Sequence, residues 1–200
     1  MSAVENKKYR KKALWLSYLT VGYNVVEGIA AVIVGTITRS SALVGFGLDS
    51  FIESLSGSVM IWRFSKERTE AEEERVEQIA IKLVAYTFFI LGAYILFDAG
   101  KQLIQQEVPE KSLFGIVVAV LSLLIMPALM LAKYRVGKQI GSKSLVADSK
   151  QTLACVFMSV TLLLGVGLNY LFGIWWADPA AGLIIAVMLL YEGKEALEHE

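Results

Sequence analysis

Cysteine and histidine occur once each in these 200 residues, as Cys155 and His199. A single cysteine rules out an intramolecular disulfide. With its one histidine next to the C-terminus, the chain has no imidazole in any apolar segment, and no nucleophile–base pair or other catalytic motif stands out. An enzyme is therefore not expected, and His199 receives no role. Charge is scarce too: 19% of the residues are Asp, Glu, Lys or Arg, and the formal net charge of zero points to no partner. No cleavable leader is evident. The basic start Lys7-Lys8-Tyr9-Arg10-Lys11-Lys12 runs into an apolar stretch longer than the roughly 7–15-residue core of a signal peptide, and it reads as an anchor that stays.

What the chain has in excess is apolar sequence. Hydrophobic residues make up 56% of it, and the mean hydropathy is +0.56. The excess falls in six runs, about 13–34, 42–62, 79–104, 112–132, 145–168 and 177–191, separated by short polar segments. A run of about 18 or more apolar residues is long enough to cross a bilayer. Lipid offers the backbone no hydrogen-bond partner, so such runs must be helical. The fold class expected is an all-α membrane protein, a bundle of six transmembrane helices forming one domain over residues 1–200, with no soluble domain. Pro127 lies inside the fourth run and is expected to kink it. The charged segment Arg63–Glu77 suits a solvated helical extension, and Lys133–Ser144 reads as a basic linker.

Orientation follows from the basic residues. Lys7, Lys8, Arg10, Lys11 and Lys12 precede the first run, Arg63, Lys66, Arg68 and Arg75 follow the second, and Lys133, Arg135, Lys138 and Lys143 follow the fourth. The opposite side has only Arg39, Lys101 and Lys111. The positive-inside rule places both termini in the cytoplasm. Trp62, Trp175 and Trp176 fall near span ends, as interfacial anchors do.

A short internal echo suggests two-fold organisation. Ser40–Glu53 reads SSALVGFGLDSFIE and Ser142–Cys155 reads SKSLVADSKQTLAC. Without a gap, Ser40 pairs with Ser142, Leu43 with Leu145, Val44 with Val146, Asp49 with Gln151 and Glu53 with Cys155. Repeats in transporters often place the substrate where they meet.

Asp49 and Glu53 stand midway along the second run, four residues apart and so on one helix face. A charged carboxylate at the bilayer centre costs about 2.5–3.5 kcal/mol on insertion scales, and intramembrane acids are functional by default. Two on one face repel each other and are stable when protonated or when they hold a cation. Gln151 and Cys155 form a second pair at the same spacing. Alone, they read as helix-packing glue and an apolar filler. As echo partners of Asp49 and Glu53 they complete a four-coordinate set, and zinc adopts tetrahedral coordination by N, O and S donors. Because neighbouring spans run antiparallel, Asp49 is expected beside Cys155 and Glu53 beside Gln151. Asp148, three residues before Gln151, is a secondary ligand met on the way in, a proton acceptor or a partner of Lys150. Glu27 and Asp98 are further intramembrane acids, each a structural partner or a relay member. Asp178-Pro179 reads as an N-cap followed by a first-turn proline.

At these residues the chain resembles the cation diffusion facilitator family, whose second span typically reads S-x-A-L-x-A-D-A-x-H-x-x-x-D. Here Ser40, Ala42 and Leu43 match, Asp49 takes the position where the family has His or Asp, and Glu53 that of the last aspartate. The fifth span of the family reads L-x-A-D-A-x-H-x-x-x-D-x-x-x-S. Leu145, Ala147, Asp148 and Ser159 match it, with Gln151 at the histidine and Cys155 at the aspartate. Trp176-Ala177-Asp178-Pro179-Ala180-Ala181-Gly182-Leu183 is similar to the L-D-P-x-A-G-L-L start of the sixth. The site differs in having no histidine, a basic segment replaces the histidine-rich loop before the fifth span, and the family's cytoplasmic C-terminal domain has no counterpart in this sequence.

The resemblance implies export of a divalent metal cation in exchange for protons, by alternating access around a midplane site formed by Asp49, Glu53, Gln151 and Cys155, with Asp148 secondary. Zinc is favoured by Cys155 and the family's habit, with cadmium, manganese and ferrous iron as other cargoes. No cofactor is expected beyond the transported ion. The partners implied are the lipid bilayer, the metal ion, protons and a second copy of the chain in a homodimer, with no nucleic acid. The location implied is the cell membrane, the inner membrane if the source is bacterial. Two other classes stay open at this point: a metal-binding accessory protein or sensor that moves nothing, and a cation channel lined by the acids.

Overall fold

The computed structural model describes residues 3–65 and 70–198, so His199 lies outside the described residues. Every described element is an α-helix: α1 (Ala3–Thr38), α2 (Ser41–Ser65), α3 (Glu70–Gln105), α4 (Leu113–Ile140), α5 (Lys143–Phe172) and α6 (Ala177–Glu198). The helices overrun the apolar runs because nothing stops them where the apolarity ends. The charged end of α3 continues as helix from Glu70, and α4 runs unbroken through Pro127.

The basic linker expected over Lys133–Ser144 is not a linker. α4 continues to Ile140 and stops only at Gly141, whose φ of 67° is the left-handed conformation that ends a helix and favours glycine. Lys133 therefore lies inside the helix and is fully buried.

Four helical stretches, Lys8–Thr38, Ala85–Gln105, Leu113–Ile140 and Ser144–Phe172, are each long and apolar enough to cross a membrane. α2 and α6 carry acids and other polar side chains within their apolar stretches, and the packing accommodates them. α2 buries Asp49, Ser50, Glu53 and Ser54 against its neighbours, and α6 buries Asp178. Meanwhile large apolar side chains such as Val26, Ile33, Ile90, Phe97, Leu124 and Leu171 face outward. Polar groups inside and apolar groups outside is the arrangement lipid demands. The chain is a multi-pass membrane bundle in which α1 packs on α2, α4 on α5 and α3 on α6, with α1 meeting α4 and α2 meeting α5 at the centre.

The sequence echo has a structural counterpart at one constant offset. The Ser40 amide donates to the Gly35 carbonyl and the Ser142 amide to the Gly137 carbonyl, each at 2.9 Å. The Ser40 hydroxyl accepts from the Leu43 amide at 3.1 Å, and the Ser142 hydroxyl accepts from the Leu145 amide at 3.3 Å. The turn residue Arg39 has φ 55°, and its counterpart Gly141 has φ 67°. The α1–α2 and α4–α5 turns are thus built alike but lie at opposite ends of the bundle, so α2 and α5 run antiparallel, with the C-terminal end of α2 (Arg63) beside the start of α5 (Ser144).

Asp178 does not cap its own helix. Its carboxylate accepts from the Ser40 hydroxyl at 2.5 Å and faces the backbone amides of Ser41 and Ala42, so α6 places a negative charge at the N-terminus of α2. Beside it, Gly165 of α5 is pressed against α6: a methyl there would come within 2.4 Å of the Ala181 Cβ. Gly165→Ala should therefore lose about 1–3 kcal/mol by overpacking. Gly100→Ala, where a methyl meets nothing within 4 Å, should be neutral or slightly stabilising. Thermal unfolding of both in the same detergent checks the contrast, and equal midpoints would contradict the close α5–α6 approach.

Candidate metal centre

The seam between α2 and α5 carries polar groups in three successive layers. The deepest holds Asp49 and Cys155, both almost fully buried and side by side across the seam. This is the cross-seam neighbour expected for Asp49. One turn along α2, Glu53 is met by Thr152, whose hydroxyl donates to Glu53 Oε1 in a short contact. The other oxygen, Oε2, is buried with no hydrogen-bond partner. The third layer joins Ser56 to Asp148, hydroxyl to Oδ1, at 3.0 Å.

The expected neighbour of Glu53 was Gln151, and the residue found there is Thr152. Asp148, Thr152, Cys155 and Ser159 form one stripe of α5 at spacings of four, three and four residues. Gln151 sits at the edge of that stripe, half-buried, and its buried Nε2 has no partner. It turns instead toward a cavity of about 990 Å³ running along α5 from Ser142 to Phe157. Ser56, Asp148, Lys150, Glu192 and Glu195 line the same cavity. Asp148 thus stands both at the cavity wall and in the seam. Of the roles open to it, pairing with Lys150 is displaced by an ion pair with Lys133 of α4, at 2.9 Å from Oδ2.

Lys133, Thr152 and Glu192 carry no motif in the sequence, yet each stands at the seam or on the cavity wall. Lys133 Nζ also lies 3.4 Å from Glu53 Oε1 and donates to Thr152 Oγ1 at 2.9 Å. A signal for it was present: the buried stripe of α4 runs Ser122, Met126, Lys133, Val136 and Gly137, and Lys133 is seven residues, two helical turns, beyond Met126. Among the described residues it is the one fully buried basic side chain.

Glu27 and Asp98 belong to flanking networks. Glu27 accepts from the Tyr23 hydroxyl at 2.7 Å and from Ser50 at 3.1 Å, and it contacts Ser122, which accepts from Ser159 at 3.1 Å. That chain ties α1, α2, α4 and α5 together just beyond Asp49. Asp98 accepts from Ser41 at 2.6 Å and Gln102 at 3.0 Å, bonding α3 to α2 away from the seam. Among the described residues, no three His, Cys, Asp or Glu side chains already stand together as a metal-holding group. Asp49 and Cys155 meet, while Glu53 is drawn aside by Lys133 and Thr152.

A polytopic helical bundle with acids and a thiol at mid-depth between two antiparallel echo helices is the construction of an ion-handling membrane protein. The chain belongs to the cation efflux transmembrane family, whose domain matches residues 17–198. It is 28% identical over 194 residues to transmembrane protein 163 of Xenopus laevis, covering 96% of this chain and 69% of that one. It is 28% identical over 177 residues to an uncharacterized transporter of Methanocaldococcus jannaschii, covering 86% and 62%. It is 24% identical over 191 residues to a cadmium, cobalt and zinc/H(+)-K(+) antiporter of Bacillus velezensis, covering 92% and 59%. The chain thus spans about three-fifths to two-thirds of the length of these relatives.

Proposed function

We propose that this protein moves a divalent metal cation out of the cytoplasm in exchange for protons, binding it at Asp49, Glu53 and Cys155 with Gln151 as an edge ligand and Asp148 as the residue met on the way in. The reading includes six spans with both termini cytoplasmic, a homodimer, and zinc as the cargo. The observation that carries it is the Asp49–Cys155 contact at the bundle centre beside the unpartnered Glu53 Oε2. A carboxylate and a thiol side by side, one turn from an oxygen that lacks a donor, make a mixed O and S set suited to zinc or cadmium. The cavity reaching Asp148 and Gln151 lies at the end of the bundle that carries the α4–α5 turn, which the Lys and Arg distribution assigns to the cytoplasm.

Metal and protons compete for the same side chains, because a ligand must lose its proton to bind a metal. Loading from a near-neutral cytoplasm and reprotonation from the other side would give antiport. The relative from Bacillus velezensis bears the name of such an antiporter, with cadmium, cobalt and zinc as its metals.

The test is metal uptake into proteoliposomes holding the purified protein, read with a metal-sensitive dye under imposed proton gradients. Flux that rises with the gradient supports the reading. Binding without flux would make the protein a metal-binding accessory or sensor, and current without proton counter-flow would make it a channel. Cys155→Ser replaces a soft donor with a hard one. It should weaken zinc and cadmium transport by about tenfold or more while affecting manganese much less. Equal loss for all three metals would remove the preference for zinc. Cysteine-accessibility labelling should find both tails on the cytoplasmic side, and an external tail would refute the orientation.

A further inference from the structure

Lys133 reaches from α4 into the α2–α5 seam with no solvent exposure, and its ammonium meets Asp148 Oδ2 at 2.9 Å, Thr152 Oγ1 at 2.9 Å and Glu53 Oε1 at 3.4 Å. Its N–H groups donate to Thr152 and Glu53, while Asp148 Oδ2 stands at ion-pair distance without a hydrogen bond, so the charge is shared among oxygens of two helices. Thr152 passes its own hydrogen on to Glu53 Oε1, which ties the two carboxylates into one clasp. The arrangement is a cation site filled from within. We propose that Lys133 is a tethered cation that holds Glu53 and Asp148 in the metal-free protein and is displaced by the incoming divalent ion, so that it sets how tightly the metal is held and how readily it leaves. This rests on the reading of Asp49, Glu53 and Cys155 as the metal site.

Three observations beyond the ion pair support it. The first is where the clasp sits relative to the site. Glu53 is shared: Oε1 is held by Lys133 and Thr152, while Oε2 is buried without a hydrogen-bond partner. Drawn toward α4, Glu53 does not complete a three-residue group with Asp49 and Cys155, and among the described residues no such group is assembled. Releasing Lys133 is what would free the whole carboxylate.

The second is the asymmetry of the echo. The Gly35 and Gly137 carbonyl acceptors and the serine caps recur in both halves at one offset, as scaffold features should. At that offset Lys133 corresponds to Ala31 and Asp148 to Phe46. The clasp is thus present in one half only, so it is not needed to build such a hairpin.

The third is access. Asp148 lines the cavity that runs from the α4–α5 turn, together with Gln151 and Glu192. An ion arriving by that route meets the outer carboxylate of the clasp before it reaches Asp49.

The chemistry favours a divalent visitor. A tethered ammonium competes at a high effective concentration, so a monovalent ion of equal charge gains little by replacing it. A doubly charged ion attracts the same oxygens about twice as strongly. When the metal leaves, the ammonium returns, and Glu53 and Asp148 are never left buried without a counter-charge.

The experiment is equilibrium titration of Cd2+ into the purified full chain in detergent at one fixed pH, with wild type, Lys133→Met and Asp49→Asn side by side. Lys133→Met keeps the length of the side chain and removes its charge. It should bind Cd2+ tighter by about tenfold or more, the scale on which groups outside the ligand shell shift metal affinity, and Na+ or K+ should begin to compete. Unchanged or weaker Cd2+ binding in folded Lys133→Met overturns the proposal. Should that variant fail to fold, Lys133→Met/Asp148→Asn decides by the same criterion, because it removes one charge of each sign and still frees Glu53. Loss of binding in Asp49→Asn with unchanged affinity in Lys133→Met defeats this inference alone. Wild-type affinity in Asp49→Asn defeats the site itself, and the inference with it.

Discussion

Asp49→Asn should abolish metal binding and transport while leaving a folded protein. Asparagine keeps the size and shape of the side chain and can still pack beside Cys155, so the α2–α5 seam closes as before. What disappears is the one anionic oxygen ligand in the deepest layer. Glu53 cannot replace it, since it lies a full turn away along α2 and already supplies its own ligand to the ion. Loss of a first ligand should exceed the 10–100-fold penalty typical of supporting groups around a metal, so flux should fall by roughly 100-fold or more. Folding should not suffer, because a neutral side chain at that depth avoids a cost of about 2.5–3.5 kcal/mol on insertion scales. The measurement is zinc and cadmium uptake into proteoliposomes, with monodispersity and thermal midpoint as folding controls. Normal uptake by folded Asp49→Asn would mean that the ion passes elsewhere, and Glu27 with its Tyr23 and Ser50 partners would be the next acid to test.

The architecture was legible because lipid imposes a simple code. Long apolar runs had to be helices, and acids inside them had to face the bundle. Asp49, Glu53, Glu27 and Asp148 are all buried. The internal echo was legible as well, and the structure extends it upstream to Gly35 and Gly137, where the sequence match had stopped at Ser40 and Ser142. What escaped was rotation and reach. Gln151 and Thr152 are neighbours in sequence, and spacing alone did not say which would face Glu53. Turn direction decided it, since Thr152 aligns with Asp148 and Cys155 while Gln151 faces the cavity. Asp178 was assigned to its own helix because capping is usually local. Its partners on α2 are contributed by tertiary packing, which no local pattern encodes. Lys133 escaped for a different reason. A lysine at the end of an apolar run normally extends its charge to the membrane surface. Here the helix continues for seven more residues to Ile140, and two carboxylates on other helices give the ammonium a reason to turn inward.

That inward turn should make Lys133→Ala the most destabilising single change in the seam. Truncation removes the ammonium and leaves Glu53 and Asp148 buried together, along with the space the stem had filled. Breaking a buried pair by removing one partner typically costs about 3–5 kcal/mol, because the remaining charge is uncompensated. That is a large share of the roughly 5–15 kcal/mol by which a folded domain is stable. The loss should not reflect the lysine's intrinsic worth. Replacing an entire buried ionic cluster by neutral groups of similar size is often close to neutral. The triple variant Lys133→Met/Glu53→Gln/Asp148→Asn should therefore recover most of the stability, even though it changes three buried residues where Lys133→Ala changes one. Thermal or denaturant unfolding in a single detergent, with wild type, Lys133→Ala and the triple variant compared, reads the difference directly. An unfolding midpoint for Lys133→Ala equal to that of wild type would show that Glu53 and Asp148 do not depend on the ammonium for their charge balance. A triple variant as unstable as Lys133→Ala would instead assign the loss to packing around the lysine stem, because the charges would then have been removed without benefit.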